Sequence, residues 1–274
     1  YEVNGNPWQL APEERGSWVA GLEVPLASEA GGDFEYLFFV GSPGSYDDHG
    51  KKVSRALVEI LNAAGIKIAI LGPEELSTGD APRRLGNEYL FQMLAQQNIE
   101  TMNGYGVKKI VTNCPHAYNT LAHEYPEFGG DYEVVHGTQL VADLVRTGRV
   151  KLTGSLGMDL VYHDPCYLGR TNGEYGAPRF LLKAIPGVTV REAELSRETS
   201  MCCGAGGGRM WLEESIGERI NQTRFEQLEA SGTSDVAVAC PYCFSMLSDA
   251  QNELGRESAS TYDVIELVAK SLAG

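Results

Sequence analysis

The feature that most constrains the fold is an internal repeat, in which three short motifs occur at matched spacings in each half of the chain. The motif positions are Ser42, Ser77 and Cys114 in the first half, and Cys166, Cys202 and Cys240 in the second half. The first interval is 35 residues in one half and 36 residues in the other. Matched spacings in register indicate a duplication, so we expect the two halves to share one fold.

Short apolar runs alternate with helically spaced stretches between these motifs. Residues 36–40 form an apolar run, whereas residues 47–64 carry apolar side chains at helical spacing. Longer helices are predicted over residues 81–102, 211–229 and 262–272. Strands that alternate with helices form mainly parallel sheets with helical cover. The sequence therefore predicts an α/β fold of two duplicated units with mainly parallel sheets, and a ligand site at the carboxyl ends of the strands.

The 274-residue chain divides into three predicted segments. Residues 1–33 are interpreted as a lead-in, because this stretch is rich in turn residues and ends in a glycine pair. Residues 34–150 form the first repeat, and residues 151–274 form the second. Each repeat is long enough to bury a hydrophobic core of its own.

The charge of the chain excludes one class of partner. The formal net charge is −15, and a nucleic-acid partner is excluded because phosphate binding needs a basic surface. No apolar run reaches the roughly 20 residues that a membrane helix needs, and no secretory signal opens the chain. We expect a cytoplasmic location with no membrane segment in this chain. The alternative is a peripheral location, tethered at the inner face of the cell membrane through sequence upstream of Tyr1.

The cysteines are concentrated in the second half. Five of the six cysteines lie there: Cys166, Cys202, Cys203, Cys240 and Cys243. They follow predicted strands or the loops after them, and ligands collect at the carboxyl ends of strands in parallel α/β folds. We therefore expect the five sulfurs to converge on one centre. Gly204 follows the tandem pair and supplies the backbone freedom that two adjacent thiols need to face the same centre.

A group of five thiols favours a metal centre. Five thiolates repel one another unless a cation offsets their charge. Thiolate-rich sites select zinc, copper(I) or iron–sulfur clusters. A structural zinc site takes four ligands, whereas a four-iron cluster is compatible with four or five. Taken alone, Cys240 and Cys243 would also fit a zinc knuckle or a redox dithiol, and Cys202 and Cys203 would fit two buried core thiols.

Three segments of the second half carry a family resemblance. They read HDPCYLGR at 163–170, CCGAGGGRMW at 202–211 and CPYC at 240–243. This combination resembles the cysteine-rich CCG domain of iron–sulfur oxidoreductases of the heterodisulfide reductase type. The amino-acid sequences of the first two segments most resemble those of the iron–sulfur oxidoreductases that accept electrons from electron-transfer flavoprotein. In those proteins the CCG region is the C-terminal part. The resemblance covers residues 34–274.

The resemblance implies a cofactor and a class of partners. It implies one [4Fe-4S] cluster, in cubane or noncubane form, and its ligands would be Cys166, Cys202, Cys203, Cys240 and Cys243. It also implies redox protein partners: a flavoprotein or a ferredoxin-like domain as the donor, and a membrane haem or quinone module as the acceptor. In that family, a membrane part with haem and a ferredoxin-like part precede the CCG region.

The first repeat departs from the family pattern. Family members with two complete sites have cysteines where this chain has Ser42, Ser77 and Ala117, and only Cys114 remains. Serine ligates iron poorly, and alanine cannot ligate it. We therefore expect the first CCG-like repeat to be degenerate and to hold no cluster. The loss of one site favours electron relay over the disulfide splitting that two facing clusters would support.

Three further residues are candidates for roles beside the cysteines. His163 lies three residues before Cys166 and is the candidate catalytic residue, either as a hydrogen-bond donor to a ligand sulfur or as a proton source. The alternatives for this histidine are an iron ligand and a strand-end residue bonded to backbone. Arg170 and Arg209 flank the cysteines in sequence and are candidates for offsetting thiolate charge.

Three functional hypotheses follow from these observations. The first is an iron–sulfur oxidoreductase module, a domain or subunit of a larger enzyme, that relays electrons. The second is a thiol or heterodisulfide-type disulfide reductase that works at the same cluster. The third is a zinc-stabilised scaffold that carries no electrons.

Overall fold

The structure is a computed structural model that describes residues 1–212 and 216–272. It divides into two compact units, Tyr1–Val141 and Ala142–Gly274. Each unit contains a four-stranded sheet in which all neighbouring strands are parallel. The predicted α/β fold of two similar units with parallel sheets is therefore confirmed.

The first sheet has its most apolar strand near the centre. Its strands are β1 (Tyr36–Phe38), β2 (Ile68–Ala69), β3 (Lys109–Thr112) and β4 (Glu133–His136). Their order in the sheet is β2-β1-β3-β4, and every residue of β1 is buried. The helices are α1 (Ala27–Ala30), α2 (Gly41–Tyr46), α3 (Asp48–Ala63), α4 (Asp80–Arg84), α5 (Glu88–Gly104), α6 (Pro115–Asn119) and α7 (Gly137–Arg146).

The second sheet repeats this arrangement. Its strands are β5 (Met158–Tyr162), β6 (Val188–Glu192), β7 (Val236–Val238) and β8 (Thr261–Asp263). Their order is β6-β5-β7-β8, which is the order of the first sheet shifted by four strands. The helices are α8 (Gly176–Ala184), α9 (Ile220–Glu229), α10 (Pro241–Glu253) and α11 (Val264–Lys270). The duplication seen in the spacings thus extends to the topology.

The prediction of a single helix over residues 81–102 is wrong, because two helices, α4 and α5, occupy this stretch. Gly86 between them has a φ of 88°, a conformation that ends a helix. The side chain of Asn87 then accepts a hydrogen bond from the amide of Leu90 and caps the start of α5.

Two helices predicted in the second half are shorter than expected. Of the stretch 211–229, only α9 is α-helical among the described residues, and residues 213–215 lie outside the described part of the chain. Gly217 has a φ of 77°, which is incompatible with a continuous helix. The helix predicted over 262–272 begins only at Val264, because the preceding residues pair with β7 as strand β8. The side chain of Asp263 caps α11 by accepting from the amide of Ile265.

The lead-in is more ordered than its turn-rich sequence predicts. It contains a 3-10 helix over Pro12–Val19 as well as α1. Trp18 is 4% exposed and meets Phe38 of β1 edge to face, with ring centroids 6.0 Å apart. An aromatic pair of this geometry stabilises packing beyond the area that it buries. The lead-in therefore belongs to the core of the first unit.

One further property concerns membranes. Within residues 1–212 and 216–272, no helix has both the length and the apolar character needed to cross a bilayer.

Candidate metal centre

Two neighbouring strands bring the predicted ligands to one edge of the second sheet. β5 and β7 pair in parallel, so their carboxyl ends lie at the same edge. His163 directly follows β5, and Cys166 lies three residues further on. Cys240 follows β7 and precedes α10, and Cys243 lies in the first turn of that helix. Four of the predicted site residues therefore follow two neighbouring strands at the same edge of the sheet.

The five predicted ligand thiols form one continuous group. Hydrogen-bond contacts link them in the order Cys166–Cys202–Cys203–Cys243–Cys240. Cys203, Cys240 and Cys243 are buried, and they pack into the core of the second unit. Cys166 and Cys202 are partly exposed. The group thus has one buried side and one side open to solvent.

The backbone at Gly204 allows the tandem cysteines to join this group. Gly204 has a φ of 93°, in the region that side chains disfavour. Its amide donates to the Sγ of Cys202 at 3.3 Å. A Cβ at this position would lie 3.3 Å from Ile220 Cβ and 3.3 Å from Met246 Cε. The site therefore needs glycine here for both conformation and space.

The hydrogen bonds within the group make the thiol of Cys202 more acidic than those of Cys166, Cys203 and Cys243. Contacts from Cys166 and Cys203 lower the pKa of Cys202, and the amide of Gly204 adds to this effect. The contact with Cys202 raises the pKa of Cys166 and of Cys203, and burial raises them further. Contacts with Cys203 and Cys240 likewise raise the pKa of Cys243. The raised pKa values oppose ionisation of Cys166, Cys203 and Cys243, so thiolates at these positions call for a metal centre to offset their charge.

His163 lies against the buried side of the thiol group. Its ring nitrogen and the sulfurs of Cys203 and Cys243 all lie within 4.8 Å of one another. The Nδ1 atom accepts a hydrogen bond from Arg224 Nε at 3.1 Å, whereas the buried Nε2 atom has no partner within the described residues. Burial, assisted by the Arg224 guanidinium, lowers the pKa of His163 to about 3. The imidazole is therefore neutral at physiological pH.

Two buried charged residues near the thiols escaped the sequence reasoning. Arg224 of α9 is fully buried beside His163. Asp263 of β8 is buried next to the strand that leads to Cys240, and burial raises the pKa of its carboxyl to about 8. A signal for Arg224 existed, because it lies four residues before the buried Leu228 and therefore on the same face of α9. No comparable signal marked Asp263, because a three-residue strand leaves almost no pattern.

The two arginines that flank the cysteines in sequence have different surroundings. Arg170 donates through Nη2 to the carbonyl of Ser200, two residues before Cys202. Arg209 is exposed on the 3-10 turn Arg209–Trp211. Arg170 therefore lies against the loop that carries the tandem cysteines, whereas Arg209 lies at the surface.

The lead-in contacts the corresponding positions of the first unit. Arg15 Nη2 donates to Ser42 Oγ at 3.2 Å, and Arg15 Nη1 forms a buried ion pair with Glu75 at 2.6 Å. The phenol of Tyr1 hydrogen-bonds the side chain of Ser77, whose amide donates to the carbonyl of Gly5 at 2.8 Å. Ser42 and Ser77, which match cysteines of the second unit, thus form hydrogen bonds with residues of the lead-in.

The donor set of the second unit suits a thiolate-bound metal centre. Five soft sulfur donors meet at one edge, which is the chemistry that iron–sulfur clusters and zinc select. A buried polar atom without a partner is costly, and a group at the centre would give His163 Nε2 an acceptor. The cysteines would hold such a cluster, and electron transfer is the chemistry that an iron–sulfur cluster supplies.

The chain is similar to several oxidoreductases. It is 49% identical to the probable iron-sulfur-binding oxidoreductase FadF of Bacillus subtilis, and the match covers 100% of this chain and 40% of that protein. It is 45% identical to the EtfAB:quinone oxidoreductase of Syntrophomonas wolfei, with 99% of this chain and 40% of that protein covered. It is 32% identical to one subunit of the dihydromethanophenazine:CoB–CoM heterodisulfide reductase of Methanosarcina barkeri, with 97% of this chain and 65% of that protein covered.

A family profile matches both units. Among solved structures, a glutamate racemase from Francisella tularensis aligns over 87% of this chain and 79% of its own, but its TM-score of 0.37 and identity of 12% support no inference. The profile of the cysteine-rich domain family CCG, by contrast, matches residues 36–122 and 160–248. Because these matches span most of both sheets, the chain belongs to the CCG cysteine-rich domain family.

Proposed function

We propose that this chain is an electron-transfer module that holds one four-iron cluster in its second unit. The observation that carries the proposal is the continuous group of five thiols at one sheet edge. The ligands would be Cys166, Cys202, Cys203, Cys240 and Cys243. Five soft sulfur ligands suit an iron–sulfur cluster better than a four-coordinate zinc site.

The surroundings of the first unit support a single cluster. Ser42 and Ser77 stand where the second unit has cysteines, and both contact residues of the lead-in. Arg15 in particular places a guanidinium beside Ser42, and the buried carboxylate of Glu75 holds it there. A cluster would have to displace this ion pair and would find only Cys114 as a thiol.

The names of the relatives support the direction of electron flow. One relative is an EtfAB:quinone oxidoreductase, and another is an iron-sulfur-binding oxidoreductase. We propose that electrons come from an electron-transfer flavoprotein or a ferredoxin-type donor and pass toward a quinone or haem. The chain spans 40% of the length of these two relatives, so donor and acceptor sites belong in the proposal to the larger protein or its complex. The partly exposed Cys166 and Cys202 mark the side of the cluster nearest to a partner.

A disulfide reductase is the second candidate. The similarity to the heterodisulfide reductase of Methanosarcina barkeri and the partly exposed Cys166 and Cys202 favour it. Reduction of a disulfide to two thiols takes two electrons, however, whereas one four-iron cluster passes one electron at a time. A chain with a single cluster is therefore better suited to relay.

The two candidates are separated by the oxidant that accepts electrons from the reduced cluster. The iron-loaded chain is reduced with dithionite under anaerobic conditions and mixed with a water-soluble quinone or with a mixed disulfide, while visible absorbance is followed. We expect the quinone to reoxidise the cluster and the disulfide to leave it reduced, and Cys114→Ala to behave like the wild type. Reoxidation by the disulfide with release of thiol would favour the reductase, and a chain that shows no reducible absorbance would support the zinc scaffold.

A further inference from the structure

Arg224 is a buried arginine whose surroundings are unusual for a charged side chain. It is 0% exposed, and among the described residues it forms no ion pair. Its Nη1 donates to the carbonyl of Leu195 at 3.0 Å and to Gln227 Oε1 at 3.1 Å, and its Nη2 donates to Ser200 Oγ at 3.2 Å. All of these acceptors are neutral. A buried guanidinium in such surroundings needs negative charge nearby.

The carboxylate of Asp164 does not meet this need by contact. Asp164 acts on Arg224 only at a distance, since its two oxygens accept from Arg179 at 2.6 Å and 2.8 Å. Negative charge on the sulfurs of Cys203 and Cys243 would also stabilise the Arg224 guanidinium. An anionic thiolate-bound centre would therefore supply the charge that balances Arg224.

The fourth contact of Arg224 determines which ring nitrogen of His163 carries the proton. Arg224 Nε carries a hydrogen and donates it to His163 Nδ1 at 3.1 Å. A nitrogen that accepts a hydrogen bond carries a lone pair, so the proton of the neutral ring is on Nε2. That atom is buried and has no hydrogen-bond partner within the described residues, in a ring of which one nitrogen lies within 4.8 Å of the sulfurs of Cys203 and Cys243. A protonated Nε2 can donate to sulfur but has no lone pair with which to ligate iron.

We propose that Arg224 is a positioning residue that holds His163 as an Nε2–H donor to the sulfur of the cluster. This inference rests on the proposed function, since it assigns the residues that surround the same centre. A hydrogen bond to cluster sulfur and a nearby positive charge both stabilise the reduced form, which carries more negative charge. Arg224 and His163 together therefore raise the reduction potential of the cluster.

The protonation of His163 can be read without any cluster. In the metal-free chain labelled with ¹⁵N-histidine, the ring nitrogens of His163 are assigned by comparison with the His163→Phe variant. We expect an Nε2 shift typical of a protonated nitrogen and an Nδ1 shift typical of a lone-pair nitrogen. The opposite pattern would overturn the inference, whatever the chain binds.

The iron-loaded chain gives the second readout. Pulsed EPR of the reduced wild type is expected to show an exchangeable proton coupling that D₂O removes, without the strong nitrogen coupling of a bound imidazole. The coupling should disappear in His163→Phe and weaken in Arg224→Gln, and both variants should have a lower reduction potential. The control is Arg191→Gln, which removes the same charge from an exposed ion pair with Asp159 and should leave the potential unchanged.

The outcomes separate this inference from the proposed function. Strong histidine nitrogen coupling in the wild type, or an unchanged potential in Arg224→Gln with full iron, would refute the role of Arg224 and leave the cluster assignment intact. A wild-type chain that binds no iron or sulfide would refute the proposed function instead. If Arg224→Gln fails to fold, Arg224→Lys replaces it, because lysine keeps the charge but lacks the planar guanidinium. A full iron content with an unchanged proton coupling and an unchanged reduction potential in that variant would contradict the role assigned to the guanidinium of Arg224.

Discussion

The glycine after the tandem cysteines gives a prediction whose magnitude follows from its geometry. Gly204 has a φ of 93°, and an added Cβ would lie 3.3 Å from Ile220 Cβ and from Met246 Cε. A left-handed backbone costs a residue with a Cβ roughly 1–2 kcal/mol. Crowding of two packed side chains adds roughly 1 kcal/mol. We therefore expect Gly204→Ala to lower the free energy of unfolding of the second unit by about 2–3 kcal/mol.

A matched control isolates the part of this loss that belongs to the site. Gly255 in the same unit has a φ of 67°, but no atom lies within 4 Å of its added Cβ. Gly255→Ala should therefore lose only the backbone part, about 1–2 kcal/mol. The extra loss in Gly204→Ala should be accompanied by a lower iron content, because the amide of Gly204 donates to Cys202. Gly255→Ala should retain its iron.

The assay is anaerobic denaturant unfolding followed by circular dichroism, with iron content measured on the same samples. The expected order of midpoints is wild type, then Gly255→Ala, then Gly204→Ala. A Gly204→Ala chain that matches the wild type in midpoint and in iron would refute the role assigned to this backbone. Equal losses in the two variants would refute the crowding against α9 and α10.

The remaining predictions concern a ligand, a buried ion pair and a buried acid. Cys203→Ala should lose the cluster, whereas Cys114→Ala should keep it; iron content compares them, and full iron in Cys203→Ala would contradict the ligand assignment. Arg15→Ala should destabilise the first unit by about 3–5 kcal/mol, because it leaves the carboxylate of Glu75 buried without a counter-charge. Adding Glu75→Gln should recover part of this loss in thermal melts, and no recovery would contradict the ion-pair explanation. Burial raises the pKa of Asp263 to about 8, so from about pH 4 to pH 8 the folded state binds a proton that the unfolded state releases. Stability should therefore fall as the pH rises, by up to about 1.4 kcal/mol per pH unit, and Asp263→Asn should flatten this slope in denaturant midpoints.

The sequence predicted the architecture because its signals were strong and repeated. Matched motif spacings and apolar strands fixed the number and type of the units, and both are observed. The break between α4 and α5 was also present in the sequence as Gly86 and Asn87, whose local preferences end one helix and begin the next. In the prediction, the apolar pattern over residues 81–102 outweighed these local signals, so one helix was expected. Strand β8 was not predictable, because three residues carry no periodicity and its conformation depends on pairing with β7.

The sequence predicted which thiols come together, but not which groups surround them. Cysteine spacing identifies candidate ligands because the thiols lie on the loops and the helix start that follow parallel strands, and these strands end at a common edge. The partner of His163 is Arg224, 61 residues away in sequence, and only the packing of α9 brings the two together. The same holds for Arg15, which reaches Ser42 from a lead-in that the sequence marked as irregular. Long-range contacts of polar side chains leave no local pattern.

The most direct test of the central claim is the iron and acid-labile sulfide content of the anaerobically prepared chain, measured together with its EPR spectrum. We predict about four irons and about four sulfides per chain, with one EPR species on reduction. About eight irons would contradict the single-cluster account and assign a second cluster to the first unit. Zinc without sulfide would contradict the redox function altogether.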